Sequence, residues 1–211
     1  MTAALLTLAD SRLPAGGHTH SGGVEQAIAA GVVHDPGSLA AFLRRRLATS
    51  GAVAAGLAAA ACGADAGRLA ELDAEADART PSPALRKASR QQGRGLVRVG
   101  RRAWPSDVWD ALPALPHHPT ALGVAAAAGG LTPRDAAAAA AYLSISGPAT
   151  AAQRLLAMDP LTVAAITARL SPDIDAVAAA AAAAGLPAAT DPLLDLLAEV
   201  HAARKDRFFA S

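Results

Sequence analysis

Apolar positions recur at helical spacing through most of the chain. Leu85, Ala88, Gln92, Leu96, Val99 and Ala103 step by three or four and mark one inward face. Arg86, Arg90, Arg94 and Arg98 step by four on a different face of the same stretch. The starts of such stretches share one form. Asp35-Pro36, Ser82-Pro83, Thr132-Pro133, Asp159-Pro160, Ser171-Pro172 and Asp191-Pro192 each put a capping residue before proline and an Ala/Leu-rich run after it. The side-chain oxygen accepts from orphan N–H groups, and proline at the first helical position gives up an N–H that had no partner. Gly31, Gly63, Gly129-Gly130 and Gly185 follow helical runs, where a left-handed residue is wanted. The pattern predicts helices over 3–9, 22–30, 36–62, 66–78, 83–103, 120–128, 133–157, 160–170, 172–184 and 192–207. Breaks are expected at Gly51 and at Gly147-Pro148, since an interior proline removes a helical hydrogen bond. Only 104–119, rich in proline and histidine, reads as a long irregular segment.

Composition narrows the fold class. Of 211 residues, 52% are hydrophobic but only 3% aromatic, and about 60 are alanine. Alanine has the best helix propensity and loses no side-chain entropy in a helix, whereas strands favour β-branched and aromatic residues. The expectation is an all-α, single-domain helical bundle, residues 1–211, of about ten helices with short connections. No fixed repeat and no linker divides it.

The net charge is +1, so no global field exists to hold nucleic acid. Cys62 is the only cysteine, which excludes an intramolecular disulfide and a thiolate cluster from one chain and points to a cytoplasmic location. Its bland reading is a small buried residue. The first ten residues lack the basic region of a signal peptide. The apolar runs 52–62 and 176–186 fall short of the roughly 18 residues that span a membrane. No membrane role is expected.

The segment from Ala9 to Glu25 carries four glycines, a proline and two histidines between short helices. Gly16-Gly17 are read as turn residues with positive φ, and Ser21 as the cap of a helix with Glu25 in its first turn. A phosphate loop fails, because no Gly-x-x-x-x-Gly-Lys-Ser/Thr is present. A nucleophile elbow fails, because Thr19 stands where glycine is required. His18 and His20, with His34 as a third, are candidate metal ligands that no recognisable spacing completes. His117 and His118, beside Pro116 and Pro119, read as loop residues. Glu71, Asp73, Glu75 and Asp77 read as a solvated acidic face. No catalytic constellation emerges, and no cofactor is implied.

Two surfaces remain. The Arg86, Arg90, Arg94 stripe is either a solvated face or a docking strip for an acidic partner. It lacks the interleaved aromatics of a nucleic-acid site. Gly93 and Gly95 cost the helix about 1 kcal/mol each and are read as permitting close contact. The chain closes on Arg204, Arg207, Phe208, Phe209 and Ser211. These residues are either folded back or an apolar anchor flanked by arginine. For the anchor, ordering on a partner is expected, and truncation of 204–211 is expected to leave melting nearly unchanged.

Four blocks, in order, resemble the UreF family of urease accessory proteins. The first is Asp10-Ser11-Arg12-Leu13-Pro14-Ala15-Gly16-Gly17 followed by Ser21-Gly22-Gly23-Val24-Glu25. The second is Asp77-Ala78-Arg79 with Arg86 to Gly93. The third is His118-Pro119 with Leu122-Gly123, and the fourth runs from Arg204 to Ser211. His18 and His20 stand where the family often has aromatics, and Phe208 where it usually has leucine. The resemblance implies an all-α dimer with no chemistry of its own. It implies a scaffold that joins a UreD/UreH-type protein and the GTPase UreG on apo-urease, where nickel is delivered. The homodimer's candidate helix is 133–157, which carries Tyr142 and Ser146-Gly147. The rival reading is a metal-binding protein or small hydrolase using His18, His20 and His34.

Overall fold

A computed structural model describes residues 2–10 and 13–211. Within them the α-helices are Thr2–Ala9 (α1), Val24–Ala29 (α2), Pro36–Arg46 (α3), Ala52–Ala61 (α4), Ala66–Ala78 (α5), Pro83–Ala103 (α6), His118–Ala128 (α7), Pro133–Leu155 (α8), Pro160–Arg169 (α9), Ser171–Ala183 (α10) and Pro192–Ala203 (α11). No strand occurs among the described residues. The all-α expectation holds.

Capping explains most of the boundaries. The side chains of Asp35, Ser82, Thr132, Asp159 and Asp191 each accept a backbone N–H of the helix they precede. Each such cap contributes about 1 kcal/mol. Ser171 departs from the pattern. It is already helical, because α10 follows α9 directly with Leu170 between them in a right-handed conformation. Gly31, Gly63 and Gly130 take positive φ after their helices, as the C-terminal signals require.

Neither expected break interrupts its helix. Gly51 closes a π turn, Leu47–Gly51, that joins α3 to α4 with right-handed backbone at both junctions. Pro148 sits inside α8. Lacking an N–H, it leaves the Ser144 carbonyl without its helical donor. Arg46 Nε donates to that carbonyl at 2.7 Å and fills the gap.

α8 is the central helix. It packs on α4, α10 and α7, and the four share small side chains. Ala136, Ala137, Ala140, Ala141, Ile145, Ala149 and Ala152 of α8 are buried, as are Ala55, Ala58 and Ala61 of α4. Alanine thus works twice here, as helix former and as a spacer thin enough for close packing. The burial of α8 within its own chain leaves Tyr142 as its one exposed large apolar residue. The irregular segment 104–119 contains a short helical turn, Asp107–Ala111, that buries Trp109. Trp109 Nε1 donates to the Trp104 carbonyl at 2.9 Å.

Candidate partner-docking surface

The acidic face of α5 and the basic face of α6 meet each other. Arg90 donates to Asp73 Oδ2 at 2.9 Å and to Asp77 Oδ2 at 2.5 Å. Asp73, 7% exposed, also accepts the backbone N–H of His117 at 2.7 Å. His117 is itself buried. Its Nε2 donates to Asp77 Oδ1 at 2.9 Å, and its Nδ1 is hydrogen-bonded to the Ser89 hydroxyl at 3.0 Å. Ser89 Oγ also accepts the N–H of His118. Burial pushes the Asp77 carboxyl up, but the hydrogen bonds and charges of His117 and Arg90 outweigh it and hold its pKa below the ordinary value.

Three expectations change accordingly. Of the acidic face, Asp73 is buried and Asp77 is half-buried and ion-paired, while Glu71 stays exposed as expected. His117 is not a loose loop residue but the residue that precedes α7, which therefore starts two residues earlier than predicted. The acidic partner of Arg86 and Arg90 is, to this extent, the chain's own α5. Arg86 donates to the Thr80 and Pro81 carbonyls and lies 3.9 Å from Asp77. Arg94 and Arg98 stay exposed. Gly93 and Gly95 do permit close contact, but with backbone of irregular segments, Pro116 and Ala15, rather than with helices.

The first motif and the chain's last residues close on each other. Glu25, in the first turn of α2, is 3% exposed. Its carboxylate accepts the backbone N–H of Phe208 at 2.8 Å, that of Phe209 at 3.0 Å, and His201 Nε2 at 2.9 Å. Ala210 N–H donates to the Thr19 carbonyl and Ser21 N–H to the Ser211 carbonyl. His20 Nδ1 and Ser211 Oγ are hydrogen-bonded at 2.6 Å. Arg204 reaches Gln26 Oε1 at 3.1 Å. Burial raises Glu25, yet the hydrogen bonds from His201, Phe208 and Phe209 prevail and its pKa lies below the ordinary value.

The tail is therefore fastened in the chain alone, contrary to the expectation that it orders mainly on a partner. Its backbone is held while its outer side chains are not. Phe209 packs partly against the core, whereas Phe208 is 84% exposed. Arg207 is exposed and donates to the Ala202 carbonyl at 3.3 Å.

The remaining motif residues serve this clasp or the cavity behind it. Gly16 has φ +89°, while Gly17 begins a short 3-10 turn. Pro14 is exposed. Asp10 lines the cavity and is itself partnered. Ser11 and Arg12 lie outside the described residues. Ser21 does not cap α2. Gly23 precedes that helix with positive φ, and the buried Ser21 hydroxyl makes no hydrogen bond among the described residues. Gly22, φ +59°, lies against Pro148 and Arg46, where a Cβ would come within 2.7 Å of Pro148 Cγ.

The rival metal set is not assembled. His34 is exposed at the α2–α3 turn, hydrogen-bonded to the Gly31 carbonyl. Among the described residues no group of three His, Cys, Asp or Glu side chains is placed to hold a metal ion.

Comparison with known proteins bears directly on this surface. The family model described as UreF matches residues 33–171. A protein named urease accessory protein UreF from Mycolicibacterium vanbaalenii is 55% identical over 216 residues, covering 99% of this chain and 98% of its own. Proteins of the same name from Mycobacterium marinum and Mycobacterium tuberculosis are 55% and 49% identical over 211 residues, with the same coverage. The chain belongs to the UreF family. That family is one of accessory proteins rather than catalysts, and the chain is not an enzyme. The matched family region, 33–171, leaves out both halves of the clasp, yet the full-length UreF relatives span them.

Sequence reasoning missed four residues that organise this UreF chain: Asp73, His117, His201 and Arg46. A signal existed for His117, since Pro119 in the first turn of α7 is the same helix-start mark as the other prolines. The other three are distinguished only by partners distant in sequence.

Proposed function

We propose that the protein is a non-enzymatic scaffold in urease maturation. In this reading it bridges a UreD/UreH-type accessory protein and a UreG-type GTPase on apo-urease, so that nickel is inserted into the enzyme. The carrying observation is similarity over nearly the whole chain, at 49–55% identity, to proteins named urease accessory protein UreF. The clasp supports it: a backbone held at fixed points presents Arg207 and Phe208 outward, and pre-ordered anchors lose less entropy on binding than free ones. Arg94 and Arg98 offer a second, cationic face for the same kind of partner. Action as a homodimer in the cytoplasm belongs to the proposal. The solitary cysteine supports the location, and no helix of the described residues is long and apolar enough to cross a membrane.

Phe208→Ala tests the docking role. The ring is exposed, so its loss changes the melting temperature little, equivalent to about 0.5 kcal/mol or less. Affinity for the UreD/UreH-type partner, measured by calorimetry, falls roughly tenfold or more, as for an anchor worth above about 1.4 kcal/mol. Unchanged affinity removes Phe208 from the interface.

A further inference from the structure

A cavity of 440 Å³ lies between the first motif, the α3–α4 rod, α7 and α8. That is the size of a small-molecule site. Leu13, Val53, Leu57 and Leu122 form much of its apolar wall. Arg46 lines it as well.

Arg46 differs from other arginines of the fold. Arg45 next to it pairs with Asp191, Arg79 with Glu75, and Arg90 with two aspartates. Arg46 has no carboxylate within ion-pair reach among the described residues. Its Nε N–H is used on Ser144, and its terminal nitrogens make no hydrogen bond to a described residue. Depth inside the protein pulls its pKa down to about 10, which leaves it charged at neutral pH. Part of its surface lines the cavity. A half-buried cation without a counter-charge carries a desolvation cost.

The acidic groups that share the wall do not discharge this cost. Asp191 is committed to Arg45, Asp10 has an interaction of its own, and Asp195, which also lines the cavity, makes no ion pair with Arg46. His118 faces the same space. Burial, and then the charge of His20, push it down to about 4, so at pH 7 it is neutral and can donate one ring N–H.

We propose that this cavity binds a free amphipathic carboxylate of medium chain length, its head group on the terminal nitrogens of Arg46 and its apolar body against the leucine and valine wall. A planar guanidinium matches a carboxylate through two parallel hydrogen bonds, and the largely apolar remainder favours a hydrocarbon body over a multiply charged anion.

Octanoate is the probe, titrated into the full-length protein with its arginine side chains labelled with ¹⁵N. Octanamide and inorganic phosphate serve as comparators. Saturable octanoate binding is expected, with the Arg46 Nε resonance moving in step and affinity at least about tenfold above that of octanamide. Arg46→Lys keeps the charge but loses the fork, and lowers octanoate affinity by about tenfold. Equal binding of octanoate and octanamide, binding of phosphate alone, or no saturation at roughly 5 mM octanoate overturns the proposal, the last meaning a binding free energy weaker than about 3.1 kcal/mol. Should the variant fail to fold, the Arg46 resonance of the unaltered protein decides: movement supports the site and stillness overturns it.

Discussion

Glu25→Ala is expected to lower stability by about 3 kcal/mol and to release the chain's end. The carboxylate is the common acceptor for three donors, His201 Nε2 and the N–H groups of Phe208 and Phe209. Removing it strands those donors at a buried point, at about 1–3 kcal/mol each, with the two tail groups able to recover water by detaching. For a chain of this length the loss corresponds to roughly 6–12 °C in melting temperature. Limited proteolysis then cuts within 204–211 in the variant and not in the parent. An unchanged melting temperature with a protected tail would show that the clasp does not depend on Glu25. The same carboxylate makes the clasp acid-sensitive. Its folded pKa is depressed below the ordinary 4.5, so its contribution is complete above that value and is lost as pH falls through the lower folded pKa. Glu25→Ala removes this part of the acid dependence.

Gly93→Ala has a comparable effect for a different reason. A Cβ at Gly93 would stand 2.1 Å from the Pro116 carbonyl oxygen and 3.0 Å from the His117 carbonyl carbon. Both are backbone atoms, fixed by the hydrogen bonds of His117 to Asp73, Asp77 and Ser89. Helix propensity favours alanine by about 1 kcal/mol. Overpacking costs typically 1–3 kcal/mol, and more where nothing flexible can give way. The net expectation is a loss of about 2 kcal/mol, read from denaturant midpoints at unchanged slope. A stabilised variant would mean that the 104–117 segment moves aside freely.

The helices were legible in the sequence because their signals are local. Asp35-Pro36 or Thr132-Pro133 needs only its own neighbours to start a helix. The clasp was half legible. The motif around Glu25 and the tail around Phe208 each stood out, but their distance of some 180 positions hides the fact that one holds the other. Asp73 and Arg90 show the same limit. On its own helix each is one charge in a run of like charges, and only the fold brings Arg90 to Asp73 and Asp77, while Arg94 and Arg98 stay exposed. Arg46 was invisible for a further reason. Its role depends on a carbonyl freed by a proline 102 positions away.

Nickel content of urease purified from a host strain lacking this gene decides whether the protein acts in urease maturation. Apo-urease is expected to accumulate to normal levels, to contain little nickel and to be inactive at limiting nickel, with nickel content and activity restored by the full-length protein. Fully nickel-loaded, active urease in the deletion strain under the same conditions would contradict that role.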